Sequence, residues 1–206
     1  MKLYGATPSP FFRKARVVLE EKGLSYETED LAPFPKTPEL MAMHPMGKIP
    51  ILKDGDATIP DSSVICAYIE RTHPTPALYP ADAVEFARAL FLEEYADTRI
   101  AEVVGGIFFE RFVKPNVFQQ DTDEARVSEI IENDLPPLLD WLEAQVPESG
   151  DSVLSHFSIA DVALAAHMGG LRFANVPLDA ERWPKLGRYC EAVWSRPSFK
   201  AAMAMG

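Results

Sequence analysis

The sequence predicts an α/β layer over residues 1–80 followed by an all-helical remainder, and three observations carry that reading. Up to Pro80, short strand-like and helix-like runs alternate in the order β-α-β-(α)-β-β-α, the grammar of a small layer with a mixed sheet. Beyond Pro80, apolar residues recur at helical spacing and no run reads as a convincing strand. Composition splits at the same place. Residues 1–80 hold 11 of the 18 prolines and a net charge of −1, while residues 81–206 carry −10. The breakers Pro74-Thr75-Pro76 and Tyr79-Pro80 put the boundary near Leu78–Asp82.

In order, Lys2–Gly5 is a short strand. Phe11–Lys22 is a helix closed by Gly23, which favours the position after a helix end. Tyr26–Glu29 is strand-like and Pro38–Met43 a short helix. Ile51–Lys53 and Ala57–Ile59 flank Asp54-Gly55, a two-strand turn signal. Ser62–Thr72 places Val64, Ile65, Tyr68 and Ile69 at helical spacing. In the second part, a stripe from Ala87 to Phe108 predicts a long helix over 83–112, with Gly105-Gly106 permitting a bend. A second stripe covers 124–146, with a kink or break near Asp134 from Pro136-Pro137. Phe157-Ser158-Ile159-Ala160-Asp161-Val162 reads as a capped helix start, Ser158 and Asp161 satisfying each other's amides and Phe157 stapling onto Val162. Pro184–Trp194 and Pro197–Met203 complete the chain as short helices.

The 206 residues are 47% hydrophobic and 25% charged, so the chain has a core and is not intrinsically disordered. Twenty basic residues against 31 acidic ones give −11, which disfavours nucleic acid and anionic membrane surfaces as partners. No apolar run approaches a membrane span, and Met1-Lys2-Leu3-Tyr4-Gly5 has no basic-then-apolar leader. Cys66 and Cys190 are too few for a disulfide scaffold or zinc cluster and read as packed hydrophobes. A cytoplasmic, metal-free protein is expected.

Three places could carry chemistry. Ser9-Pro10 opens the first helix. It reads as an ordinary cap, but also as a hydroxyl at a helix N-terminus, where partial positive charge favours an anion or thiolate. Gly47-Lys48-Ile49-Pro50 precedes a strand. Beyond a glycine turn and an edge proline, it offers an X-Pro bond, the type commonly cis, and an Ile49 main chain able to pair with an extended peptide. Asp61-Ser62-Ser63 opens another helix. Capping again suffices, yet a carboxylate beside a helix N-terminus also suits an amino-acid head, with its amine and carboxylate. Together these junctions, at the ligand-binding ends of an α/β layer, fit a small thiol peptide.

These segments, with Lys2-Leu3-Tyr4-Gly5, Pro45-Met46-Gly47-Lys48-Ile49-Pro50-Ile51-Leu52 and Phe157-Ser158-Ile159-Ala160-Asp161, make the chain resemble the glutathione S-transferases over essentially its whole length. The resemblance implies a thioredoxin-like N-terminal domain over 1–80 and an all-helical C-terminal domain over 81–206. It also implies glutathione as co-substrate with no prosthetic group, a small hydrophobic electrophile as second substrate, and a homodimer. Ser9 matches the catalytic serine of the serine-type classes. Ile49 matches the residue that pairs with the cysteinyl unit before a cis-Pro50. Asp61 and Ser62 match the pair holding the γ-glutamyl group, and Lys48 reaches toward the glycyl carboxylate. The chain departs from the family at His44, usually asparagine, where a loop effect is expected, and at Asp61, usually a longer acid or amide. Tyr4 is the rival thiol activator, or else strand packing. Phe11, Phe12, Tyr95, Arg99 and Phe108 are candidates for the electrophile pocket, each equally readable as core. His167 reads as a satisfied core histidine. The alternatives are a non-enzymatic interaction or regulatory protein of the same fold, or glutathione-dependent peroxidase, dehalogenase or isomerase chemistry.

Overall fold

The computed structural model describes residues 1–148 and 150–204. The chain divides into two compact units, Met1–Tyr79 with the segment from Arg196 onward, and Pro80–Ser195.

In the first unit, β1 (Lys2–Gly5), α1 (Pro10–Glu21), β2 (Glu27–Asp30), α2 (Pro38–Met43), β3 (Ile51–Asp54), β4 (Ala57–Pro60) and α3 (Ser62–Thr72) follow the expected order. The strands form one mixed sheet, β2-β1-β3-β4, with β1 parallel to β2 and antiparallel to β3. The parallel β1–β2 pair needs a crossover, and α1 supplies it. Leu3, Ile51 and Leu52 are fully buried, as are Val17 and Leu19 of α1 and Ile65 and Ile69 of α3, so both helices rest on a common apolar core. Gly5 is required at the end of β1, because a Cβ there would sit 2.3 Å from Phe12 Cδ2.

The expectation that residues 81–206 form one helical block holds only to Ser195. Helix α10 (Pro197–Met203) packs along α1 and belongs to the first unit. Phe199 and Ala202 are fully buried there. Arg196 Nε and Nη2 each donate at 2.9 Å to the two oxygens of Glu21, and Ser198 Oγ donates to Glu21 Oε1 at 2.5 Å. No hydrophobic periodicity announces this return, since an ion pair across 175 residues leaves no local trace.

The second unit contains no strand among the described residues. Its helices are α4 (Ala83–Tyr95), α5 (Ala101–Phe108), α6 (Glu124–Glu129), α7 (Leu135–Gln145), α8 (Ile159–Phe173) and α9 (Pro184–Trp194). The first long helix runs further than its stripe, through π-helical stretches at Ala96–Ile100 and Phe109–Phe118 that carry Pro115. The break before Pro136 is another π stretch, Ile130–Asp134, rather than a chain break. The helix passes through Gly105 and Gly106 without ending. Gly106 serves close approach instead, because a Cβ there would lie 3.0 Å from Ile130 Cδ1. Helix α8 is buried from Ile159 to Leu171. Its capping box is present, with Asp161 Oδ2 accepting from the Ser158 amide at 2.9 Å; Asp161 Oδ1 also accepts from Val153 N–H and Tyr189 O–H. His167 is a satisfied core residue, its Nε2 2.9 Å from Asp97 Oδ1. Cys66 and Cys190 are buried and form no disulfide among the described residues, and burial pushes the Cys190 thiol far above its ordinary value.

Candidate active site

The loop between β1 and α1 is fixed from beneath. Arg13, fully buried on the first turn of α1, donates from Nη1 to the carbonyls of Thr7 at 3.1 Å and Pro8 at 2.6 Å. Burial lowers its guanidinium to about 9, which leaves it charged at neutral pH. Ser9 follows directly as the N-cap of α1. Its Oγ accepts from the Phe12 amide at a long 3.4 Å, and Pro10 occupies the first helical position, where its missing N–H costs nothing. A hydroxyl accepting so weakly keeps its own proton available for donation, and it stands where the helix dipole favours negative charge.

Ser9 lines a cavity of about 310 Å³ in the first unit. Lys48, Ile49, Asp61 and Ser62 share its wall, so the structure brings together on one concavity the residues of three separate sequence motifs. Each has bonding capacity to spare. Asp61 caps α3 through Oδ1 alone, accepting from Ser63 N–H at 2.9 Å and Val64 N–H at 3.2 Å, while Oδ2 has no partner among the described residues. It does so at φ 77°, a conformation that favours glycine and that side chains hold only where the surroundings enforce it. Ser62 is 2% exposed, yet its Oγ makes no hydrogen bond among the described residues. Lys48 is exposed and enters no ion pair among them. Ile49 has a buried side chain anchored with Leu40 and Ile51, whereas its main chain is unpaired among the described residues. The Ile49–Pro50 bond is cis, as expected; Pro50 is buried behind Ile49 and does not line the cavity.

Sequence reasoning missed part of this wall. Pro33, Phe34 and Lys36 contribute from the β2–α2 loop, and Lys36 Nζ donates to the Met46 carbonyl at 2.9 Å. Nothing in that loop carries periodicity, and only its proline and lysine content hinted at an ordered lip. His44 also lines the cavity, so its place is not merely in the loop. Burial holds it below the ordinary imidazole value, and Lys48 pushes the same way against Asp61.

The candidates for an electrophile pocket lie within each of the two units. Phe11 lines the cavity beside Ser9, but Phe12 is buried against Gly5 in the core of the first unit. In the second unit, Tyr95 stacks on Trp141 with centroids 4.1 Å apart, and burial raises its phenol. Phe108 belongs to a cluster with Phe112 and Phe173. Arg99 lines a different hollow, paired with Glu102 at 2.9 Å. Each is held by packing or pairing that amphipathic spacing alone could not distinguish from a ligand wall. Tyr4 packs against the Leu40–Ile49–Ile51 cluster with Lys2 and Lys53 over its ring, and it does not line the cavity.

Family comparison agrees with the geometry. The N-terminal domain model of glutathione S-transferases matches residues 3–77, and the C-terminal domain model matches residues 107–205. The chain belongs to the glutathione S-transferase family. Among curated relatives, the uncharacterised glutathione S-transferase-like protein YibF of Escherichia coli is 31% identical over 205 residues, covering 97% of this chain and 96% of that one. A glutathione S-transferase from Rhodospirillum rubrum superposes with a TM-score of 0.91 at 26% identity, over 100% of this chain and 92% of the other. A glutathione S-transferase-I bound with lactoylglutathione superposes with a TM-score of 0.84 at 25% identity, over 98% and 97% of the two chains. The fold is therefore that of the family, a thioredoxin-like sheet unit and a helical unit. Among the described residues no helix is long and apolar enough to cross a membrane, and no cluster of three His, Cys, Asp or Glu could hold a metal.

Proposed function

We propose that this protein is a glutathione transferase of the serine type, which binds glutathione in the Ser9 cavity and activates its thiol for attack on a hydrophobic electrophile. The observation that supports this most is the convergence on one cavity of a helix-capping hydroxyl, an unpaired main chain at Ile49 and the half-used carboxylate of Asp61. Each matches one part of a γ-glutamyl-cysteinyl-glycine ligand. Asp61 Oδ2 accepts from the α-ammonium, and Ser62 Oγ with the start of α3 takes the α-carboxylate. Ile49 pairs with the cysteinyl main chain as an added strand does. Lys48 meets the glycyl carboxylate. The related transferase solved with lactoylglutathione supports a glutathione conjugate as the kind of ligand that such a fold holds.

The chemical step needs no ionised serine. Ser9 Oγ–H donates to sulfur, the helix dipole adds to it, and the thiol proton leaves to solvent. The thiolate sulfur then displaces a leaving group from, or adds to, the electrophile. Phe11, on the same wall, offers the first apolar contact beside the sulfur. The protein acts in the cytoplasm as a homodimer in this reading. In favour of self-association, α4 leaves Val84, Phe86 and Phe91 exposed in the second unit.

Retention on immobilised glutathione, with elution by the free tripeptide, tests the binding. Turnover of a chloronitroarene against that of an organic hydroperoxide then tests the transfer. A protein that passes through the matrix unretained overturns the proposal, and one that is retained but reduces only hydroperoxides replaces transfer with peroxide reduction.

A further inference from the structure

The loop that carries Ser9 is short of donors. In Thr7-Pro8-Ser9-Pro10 both prolines lack a main-chain N–H, and the Ser9 amide is spent on the Ala6 carbonyl at 2.9 Å. The carbonyls of Thr7 and Pro8 turn instead to a side chain. Arg13 Nη1 donates to both, at 3.1 and 2.6 Å, from a residue that is 0% exposed. The Arg13 amide also donates to the Ser9 carbonyl at 3.0 Å. One residue, a single turn along α1, thus holds the successive carbonyls of Thr7, Pro8 and Ser9. Burying a guanidinium is unfavourable, and desolvation alone brings this one down to about 9. An apolar side chain would cover the loop at lower cost, so the bonds themselves are what the site requires.

The side chain of Ser9 has little of its own to hold it. Its Oγ has one weak bond, from the Phe12 amide at 3.4 Å, so the hydroxyl goes where the main chain places it. That main chain is what Arg13 pins. Ser9 is on the cavity wall, whereas Thr7 and Pro8 are not among the lining residues. A carbonyl oxygen carries partial negative charge, and one turned toward an anionic sulfur would oppose it. With both oxygens committed to a cation under the loop, the anion meets the hydroxyl and the start of α1, donors fixed before the ligand arrives.

We propose that Arg13 is a positioning residue for thiol activation: by holding the Thr7 and Pro8 carbonyls beneath the loop, it aims the Ser9 hydroxyl at the sulfur and keeps two carbonyl oxygens away from it. This rests on the transferase reading above and deepens it. Ile49, Asp61 and Ser62, which meet the rest of the tripeptide, stand on other segments, so Arg13 governs the reactivity of the bound thiol and not its affinity.

Arg13→Met keeps an unbranched side chain without a donor, and Arg13→Lys restores a cationic donor. Complexes with glutathione are titrated by ultraviolet absorbance of the thiolate, and steady-state rates with a chloronitroarene are followed from about pH 6 to 9, across the thiol titration. Arg13→Met is expected to raise the thiol midpoint by about one unit. That lowers kcat about fivefold near pH 6.5 and lets it recover toward about pH 9, with the KM for glutathione changed by less than about twofold. Arg13→Lys should regain part of the shift. In a Ser9→Ala background Arg13→Met should add almost nothing, since a residue acting through Ser9 cannot lose the same interaction twice. A merely structural role would lower the rate equally at every pH and leave the midpoint unmoved. If Arg13→Met does not fold, Arg13→Lys carries the same test, with a smaller rise. A folded variant with the wild-type midpoint, or a shift that adds fully to that of Ser9→Ala, overturns the inference and leaves the transferase reading standing. A wild-type complex with no thiolate below about pH 8 overturns both.

Discussion

Replacing Ser9 by alanine removes one hydroxyl from the mouth of α1 and tests whether it holds the sulfur. A free thiol titrates near 8.5, and a site that brings it down by about two units makes roughly three quarters of it thiolate at pH 7. A hydrogen bond to a charged group contributes about 1.5–3 kcal/mol, whereas the helix dipole contributes about 0.3–1 kcal/mol. The hydroxyl is thus the larger of the two, and its loss should raise the bound thiol by about one to two units at 1.36 kcal/mol per unit. Thiolate at pH 7 then drops to roughly a tenth, and kcat/KM with a reactive chloronitroarene falls with it. The fold should survive. The Oγ to Phe12 amide contact of 3.4 Å is a weak cap, so the stability cost belongs at the low end of about 0.5–2 kcal/mol. Ultraviolet absorbance of the thiolate in the binary complex with glutathione, followed against pH, reads the shift directly. Ser9→Thr should restore most of it. An unchanged midpoint in Ser9→Ala would refute the role assigned to the hydroxyl, and attention would pass to the dipole and the main chain.

Asp61→Asn keeps an oxygen for the Ser63 and Val64 amides but removes the charge, so α3 stays capped while glutathione affinity falls about tenfold or more, measured by calorimetry. Glu21→Gln breaks the bidentate pair with Arg196 and should cost about 1–2 kcal/mol in urea unfolding. Burial pushes the Glu21 carboxyl up, but the hydrogen bonds from Arg196 and Ser198 outweigh it and hold the carboxyl below its usual 4.5. The folded protein therefore binds this proton less readily than the unfolded chain. The stability it confers is present above about 4.5 and is lost as pH falls through the lowered value, a slope that Glu21→Gln should lack. Gly170→Ala sets a Cβ 2.9 Å from Val104 Cγ1 and should lower stability by about 1–3 kcal/mol through overpacking, read as a reduced Tm.

The first unit was legible because its signals are local. Gly23 after a lysine, Asp54-Gly55 between two apolar runs and capping residues at Ser9 and Asp61 each dictate a turn or a helix end within a few residues, and the sheet order follows from their succession. The cavity residues Ser9, Lys48, Ile49, Asp61 and Ser62 were legible for the same reason: all sit at element boundaries, where chain geometry and unpaired groups are announced by residue type. His44 escaped because a histidine next to a proline carries no periodicity, and whether its ring faces a cavity depends on the turn that the ring itself stabilises. Phe12, Tyr95 and Phe108 could be read from the sequence equally as pocket or as core, because an aromatic on a helical stripe looks the same whether it meets a ligand or another ring. The π-helical stretches have no sequence mark at all, being set by tertiary packing of neighbouring turns.

The return of α10 to α1 has a bearing on biosynthesis. The sheet leaves the ribosome more than a hundred residues before Phe199 and the Arg196–Glu21 clasp can seal its outer helix. Until then the nascent chain displays a bare apolar flank on α1, so the first unit closes only after the second has been made. A fragment cut near residue 80 would inherit that unfinished surface permanently, and should clump where the intact chain does not.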